Sequence, residues 1–277
     1  MCNRTLKEAS INPNIGPMPV LEGKVAVVTG GNRGIGRAIA LAMARAGASV
    51  AIAARTEDSL SKVAAELETL GSPCLAVRCD VADPASIEAV GEAVLARFGP
   101  ADVVVANAGI AGPTKPLHEI TPEEWRKCMA TDLDGVYLTF RRFVPGMIER
   151  RQGSLIAISS MTGKRPLKNR SPYAAAKMGL IGLVRTLAVE LGPYDIRVNC
   201  VCPGAVEGPR ILNVIRAQAQ AQGISEEEAR RQFTDSAALR RMVAADEVAA
   251  ACVFLASDAA AAITGEDLNI SAGLVMY

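Results

Sequence analysis

Two apolar periods alternate along this chain. Short runs with few polar positions, rich in β-branched residues, predict strands over 24–29, 49–54, 74–79, 101–106, 154–159, 196–201 and 267–270. Between them apolar residues recur at helical spacing. In the first such stretch Ile35, Ile39, Met43 and Ala46 share one side, and Gly47 closes it. Further helices are predicted over 57–70, ended by Gly71, and over 83–98, opened by Asp83-Pro84 and closed by Gly99. A long helix is predicted from Thr121 to Arg150, and others over 171–191 and 245–257. Residues 204–242 read as an insertion with two short polar helices.

Strand and helix alternate with short links, and no repeat, charge run or flexible linker divides them. The expected fold is α/β, a doubly wound parallel sheet of about seven strands with helices on both faces, in one domain over 20–277. Residues 1–19 lack a hydrophobic segment and are expected to be a flexible tail rather than a secretory signal. Ligands in such sheets bind beyond the carboxyl ends of the strands, where the strand order switches. Thr29, Ala106, Ser159 and Val201 end strands, so the residues just after each of them form the candidate site.

Composition narrows the class. Half of the 277 residues are apolar but only 4% are aromatic, as suits strands buried on both faces. The formal charge of +1 gives no global bias toward nucleic acid or membrane, and the longest apolar run, 248–256, is too short to span a bilayer. The seven cysteines (Cys2, Cys74, Cys79, Cys128, Cys200, Cys202, Cys252) form no C-x-x-C and no metal-like spacing with the single His118. A reduced, cytoplasmic protein without a metal is expected. His118 reads as a surface residue and Trp125 as a packing anchor.

After the first strand comes T-G-G-N-R-G-I-G, Thr29 to Gly36. Glycines there permit a tight turn and let backbone amides approach a pyrophosphate, so the loop predicts a dinucleotide site. An acid ending the second strand would hold the ribose hydroxyls of NAD. Ala54 stands there instead, followed by Arg55, with Arg33 inside the loop. Two arginines and no acid favour NADP(H) over NAD(H), because a guanidinium grips a 2′-phosphate bidentately.

The stretch Ser160 to Lys177 holds the candidate chemistry. Ser171 reads as an N-cap and Pro172 as the first helical residue. Tyr173 and Lys177 then share one helix face, and a phenol beside an ammonium gives up its proton more readily.

These pieces together resemble the short-chain dehydrogenase/reductase family of the ordinary, roughly 250-residue type, whose members include 3-oxoacyl-carrier-protein reductases and related carbonyl reductases. The resemblance covers about residues 21 to 277 and rests on T-G-G-N-R-G-I-G (29–36), C-D-V (79–81), A-N-A-G (106–109), I-S-S (158–160), Y-A-A-A-K (173–177) and C-P-G (202–204). It implies a Rossmann-type fold and a nicotinamide cofactor. It also implies a small carbonyl or alcohol substrate. Tyr173 would be the general acid or base, Lys177 its helper and a ribose contact, and Ser160 the hydrogen-bond donor to the substrate carbonyl. Cofactor contacts would come from Gly30, Asn32, Arg33, Gly34, Ile35, Gly36 and Arg55, from Asp80 and Val81 at the adenine, and from Asn107, Ala108 and Gly109. Pro203, Gly204 and Val206 would lie by the nicotinamide. The fourth catalytic position, Asn in relatives, falls on Asp132. Gly208 stands where a Thr is expected, and the closing run is I-S-A-G (270–273) in place of V-D-G-G.

The resemblance implies a reductase working with NADPH. The reverse, oxidative direction is the alternative, and a nucleotide sensor without turnover is a remote one that the intact Ser160–Tyr173–Lys177 set argues against. Relatives are usually tetramers, and the Ala-rich stretches Ala174–Ala176 and Ala249–Ala251 fit close helix packing between subunits. The 204–242 segment is expected to cover the nicotinamide as a lid, with Ile211, Leu212, Val214 and Ile215 either lining the pocket or packing the lid down. Lys164, Arg165, Lys168, Arg170 and Arg210 could draw an anionic substrate or an acidic carrier protein, but the preferred reading is a solvated loop.

Overall fold

Strands that must be covered on both faces read as unbroken apolar runs, and the central ones here do. Every residue of β1 (Val25–Thr29) and β4 (Val103–Ala106) is buried. A computed structural model describes residues 20–277, so the expected tail over 1–19 lies outside the described residues. With β2 (Ser49–Ala54), β3 (Cys74–Arg78), β5 (Gly153–Ile158), β6 (Ile196–Pro203) and β7 (Asp267–Ile270) these strands form one parallel sheet in the order β3-β2-β1-β4-β5-β6-β7. The order reverses between β1 and β4, where Val27 pairs with Val104. This is the expected doubly wound α/β fold.

Neighbouring strand residues point to opposite faces. Val28 joins a core with Ile39 of α1 (Gly34–Arg45), Leu67 of α2 (Glu57–Thr69) and Leu255 of α10 (Ala245–Ala256). Val27 joins the other core, with Val90 of α3 (Pro84–Phe98), Phe140 of α5 (Gly135–Arg150) and Leu180 of α7 (Ser171–Leu191). A third, smaller core under α8 (Pro209–Gln222) and α9 (Glu226–Thr234) gathers Ile215, Phe233 and Met242 with Met161 and Leu274.

Several local signals act as their chemistry requires. Asp83 caps α3 by accepting from the Ala85 amide at 3.0 Å, and Thr121–Glu124 and Ser225–Glu228 are reciprocal capping boxes. Others differ. The long helix expected over 121–150 is broken. α4 (Pro122–Met129) passes through one π turn, Ala130–Asp134, before α5 begins. That extra residue per turn carries Asp132 inward, to full burial. The cap of α7 is Arg170, not Ser171, whose buried hydroxyl has no partner among the described residues. The expected basic loop contains a helical turn, α6 (Met161–Lys164), capped by Ser160.

In the Ala-rich stretches Ala176 and Ala249 are buried in the chain's own core, while Ala175 and Ala250 are exposed. In the closing run, Ala272 adopts a left-handed backbone (φ 54°), at the position where the expected V-D-G-G pattern has glycine. Among the described residues no helix is long and apolar enough to cross a membrane.

Candidate active site

The switch between β1 and β4 opens a crevice, and short polar bonds hold its floor. Thr29 Oγ1 accepts from the amides of Asn107 and Ala108, each at 3.1 Å, and Asn107 Nδ2 donates to the carbonyls of Thr29 (2.9 Å) and Gly30 (3.3 Å). Asn107 is thus turned onto the loop it faces. α1 approaches so closely that a Cβ on Gly36 would collide with the Gly30 carbonyl and the Asn107 amide. The first turn of α1 has no side-chain cap and no acid. Its open N–H groups and positive dipole end are what an anion needs. The residues therefore fit a dinucleotide.

At the next strand ends, Arg55 and Arg78 line a cavity of about 310 Å³ with Thr56, Glu57 and Asp58. Arg78 lies in register opposite Ala54. The sequence reading missed it. Its signal was the position just before C-D-V, at the end of β3. Arg33 is exposed nearby in the chain, and Asn32 donates to Ser59 Oγ at 2.7 Å, tying the loop to α2. Asp80 accepts from the Ala82 amide at 3.1 Å, and buried Val81 packs beneath Gly135, where a Cβ would lie 2.7 Å from its methyl.

Beyond β4 and β5 the candidate chemistry converges. Ser160, Tyr173, Lys177 and Asp132 are 8%, 9%, 3% and 0% exposed. Lys177 Nζ lies 5.7 Å from the centroid of the Tyr173 ring and donates to the Ile158 carbonyl at 3.0 Å. Ser159 Oγ donates to the Lys177 carbonyl at 2.7 Å, which fixes α7 against the end of β5. Ser160 Oγ accepts from the Thr162 amide at 3.1 Å, so its own proton is free to be donated. Asp132 Oδ1 accepts from the Ile110 amide at 2.7 Å, and its Oδ2 from the Cys128 thiol at 3.4 Å. Burial, and then the Asp132 charge, pushes that thiol up to about 12. A Cβ on Gly109 would sit 2.5 Å from Asp132 Oδ1 and 3.6 Å from Lys177 Nζ, so Gly109 is squeezed between these two groups.

The cations of the β5–α7 connection do not share one fate, which corrects their reading as a solvated loop. Lys164 is an ion-pair partner of Asp267 at 2.8 Å, while Arg165 and Lys168 are exposed. Arg170 is 4% exposed, lies 4.8 Å over the Tyr173 ring and donates to the Ala111 carbonyl at 2.6 Å. Burial pushes its guanidinium below the ordinary arginine range. Arg210 reaches from the start of α8 to the Ile110 carbonyl (2.8 Å), 5.8 Å from the same ring.

The remaining predicted positions sort plainly. Pro203 ends β6. Gly204 packs on Ser271, with room for no Cβ, and Val206 bridges to Val243. Gly208 has φ 137°, which a threonine would not adopt readily. Ile215 is buried in the α8–α9 core and Leu212 is 46% exposed, so most of the apolar run packs its own segment. Gln218 ties that segment down by donating to the Lys168 carbonyl at 3.1 Å. His118 is on the surface as expected, whereas Trp125 is exposed at 37% and anchors no core.

Comparison with known proteins now bears on this geometry. A family model described as enoyl-(acyl carrier protein) reductase matches residues 30–275. The granaticin polyketide synthase putative ketoacyl reductase 1 of Streptomyces violaceoruber is 39% identical over 255 residues, 91% of this chain and 93% of that protein. The 3-oxoacyl-(acyl-carrier-protein) reductase FabG of Escherichia coli is 38% identical over 255 residues, 92% of this chain and 98% of that protein. An actinorhodin polyketide ketoreductase variant solved with NADPH superposes with a TM-score of 0.88 at 36% identity, covering 92% of this chain and 98% of that one.

Proposed function

The chain belongs to the short-chain dehydrogenase/reductase family, and from that premise we propose that it reduces a ketone or aldehyde with NADPH, Tyr173 giving the proton. It is an oxidoreductase acting on CH–OH and C=O groups. The observation that carries the finer reading is the burial of Ser160, Tyr173 and Lys177 together, with Lys177 close to Gly109 just beyond β4.

When bound, the nicotinamide supplies the hydride. Gly30, Asn32, Arg33, Gly34, Ile35 and Gly36 hold the pyrophosphate and its ribose, Asp80 and Val81 the adenine, and Asn107, Ala108 and Gly109 the crevice floor. Pro203, Gly204 and Val206 close the nicotinamide end, under α8–α9 as a lid. Tyr173 gives its proton to the carbonyl oxygen, and the Lys177 ammonium stabilises the phenolate left behind. Ser160 donates to the same oxygen as charge gathers there. Asp132 works one layer back, holding the Ile110 amide and so the segment after β4. Exposed Arg33, Arg55 and Arg78 suit a 2′-phosphate, and the NADPH in the actinorhodin relative supports that choice. The oxidative direction uses the same residues in reverse.

The six described cysteines are free, which supports a reducing, cytoplasmic setting. Exposed Tyr137, Met178 and Val189 on α5 and α7, and Phe254 and Leu268 on α10 and β7, support a homotetramer, and a light-scattering mass tests it.

The deciding experiment follows NADPH and NADH oxidation with small ketones, 3-oxoacyl thioesters and enoyl thioesters, for the wild type and Tyr173→Phe. Turnover of a carbonyl with NADPH, reduced about a thousandfold in the variant, is expected. Equal rates reject the mechanism. Turnover of the enoyl thioester alone moves the reading to C=C reduction. Tight NADPH binding without any turnover moves it to a sensor.

A further inference from the structure

We propose that the substrate carries an anionic group, a carboxylate close to the reacting carbonyl, received by Arg170 and Arg210. This rests on the carbonyl-reductase reading and names the substrate class of that site.

Three observations converge. Arg170 is 4% exposed, yet among the described residues its only side-chain hydrogen bond is from Nη2 to the Ala111 carbonyl at 2.6 Å, and its buried Nε has no partner. Arg210 closes over the same place. Its Nη2 donates to the Ile110 carbonyl at 2.8 Å, and its Nη1 lies 3.5 Å from the Gly109 carbonyl. The two guanidinium carbons stand 4.8 and 5.8 Å from one ring centroid, that of Tyr173.

Among the described residues no carboxylate lies within 4.0 Å of either guanidinium, although Arg37, Arg142, Arg150 and Arg241 each hold one. The nearest buried acid, Asp132, already accepts from the Ile110 amide and the Cys128 thiol. Lys177 adds a third cation to the cluster. A buried cation with an unfilled donor is costly unless a ligand completes it. A carboxylate fits, since guanidinium forks match its two oxygens. Both forks rest on the ring whose hydroxyl meets the reacting carbonyl, so the acid lies a few bonds from that carbonyl.

The reaction keeps the acid's charge. The carbonyl carbon gains a C–H bond by accepting hydride from the reduced nicotinamide, which is thereby oxidised. The C=O π pair moves to oxygen, and oxygen takes the Tyr173 proton, giving a hydroxy acid.

The test compares three free acids with their methyl esters under saturating NADPH: pyruvate, 3-oxobutanoate and 4-oxopentanoate. For at least one pair kcat/KM is expected to favour the acid about tenfold or more, with the preference shrinking as salt rises. In Arg170→Gln and in Arg210→Gln the acid-to-ester ratio is expected to fall about 10- to 100-fold, and Arg170→Lys to restore part of it. The ratio is internal to each variant, so lost folding does not mimic the result.

Esters turned over as well as acids by the wild type would overturn the proposal while leaving the reductase reading intact. A weaker NADPH affinity in Arg210→Gln, with an unchanged ratio, would also overturn it and assign that cation to the cofactor's pyrophosphate. If none of the six compounds turns over, malonate is titrated calorimetrically into the NADPH-loaded protein. Binding that disappears in Arg170→Gln supports the anion site, and absence of heat in the wild type rejects it.

Discussion

Arginine is used in opposite ways at the two ends of the crevice. Where β2 and β3 end, Arg55 and Arg78 stand exposed around an open cavity. Under α8, Arg170 is buried against Tyr173 and held by a backbone carbonyl, with Arg210 pinned above it. Exposed guanidiniums keep their water and lose little by waiting, so they grip a phosphate at a modest net gain. A buried one has already given up its water, and its place is set before any ligand arrives. The first end tolerates change; the second is committed to one geometry.

Backbone close approach sets the largest expected effect. Gly36→Ala is expected to weaken NADPH binding about a hundredfold, because its methyl meets the Gly30 carbonyl and the Asn107 amide. Fluorescence titration measures it, with a melting curve to separate misfolding from lost affinity. Unchanged binding would show that this end tolerates even a change of backbone spacing.

Asp132 tests the committed end next. Asp132→Ala strands the Ile110 amide and is expected to cut kcat about tenfold or more, whereas Asp132→Asn keeps an acceptor there and recovers most of the loss. If both variants fall equally, the charge matters rather than the bond to Ile110. Arg55→Ala and Arg78→Ala are each expected to raise the KM for NADPH about five- to tenfold and to leave that for NADH unchanged. Equal effects on both cofactors would remove the 2′-phosphate assignment.

A smaller effect concerns Lys164, the cation of the β5–α7 connection that does have a partner. Burial alone would raise the Asp267 carboxyl, but hydrogen bonds from Lys164 and Arg185 outweigh it and hold the group below its usual range. A carboxyl lowered by folding adds stability that is complete above about pH 4 and lost as pH falls through its folded value. Acid unfolding followed by circular dichroism is therefore expected to be steeper in wild type than in Asp267→Asn, with both curves parallel above about pH 5. The same slope in both would mean that the pair contributes nothing.

Much of the sheet was legible because each strand is a local pattern. The runs 49–54 and 267–270 are observed with the predicted bounds, and Gly47, Gly71 and Gly99 follow their helices with positive φ. The glycine loop and the Tyr173–Lys177 pair were legible for the same reason. What failed was non-local. A single π turn adds one residue to a helix, which apolar spacing over 121–150 does not register, so only the family resemblance, and not the helix pattern, pointed Asp132 at the site. Arg170 read as solvated because charge pattern reports composition, not what docks on it. Its burial accompanies the docking of α8, anchored by Gln218 on the Lys168 carbonyl. Lys164 likewise finds Asp267 only after the sheet has formed. Arg78 was missed because its relation to Arg55 exists only through the register of β2 and β3.

The neighbourhood of β1 and β4 also governs how the molecule comes into being. β1 is complete at Thr29, but the strand that lies beside it begins only at Val103. On the ribosome, β1 can pair early with β2, while its other edge waits through the making of three helices and two strands. Long-range parallel pairing is slow, and an unpaired apolar edge invites other chains. Nascent chains stopped before Val103 therefore carry a complete glycine loop with no crevice behind it, and that open flank is where synthesis of this protein is most exposed to aggregation.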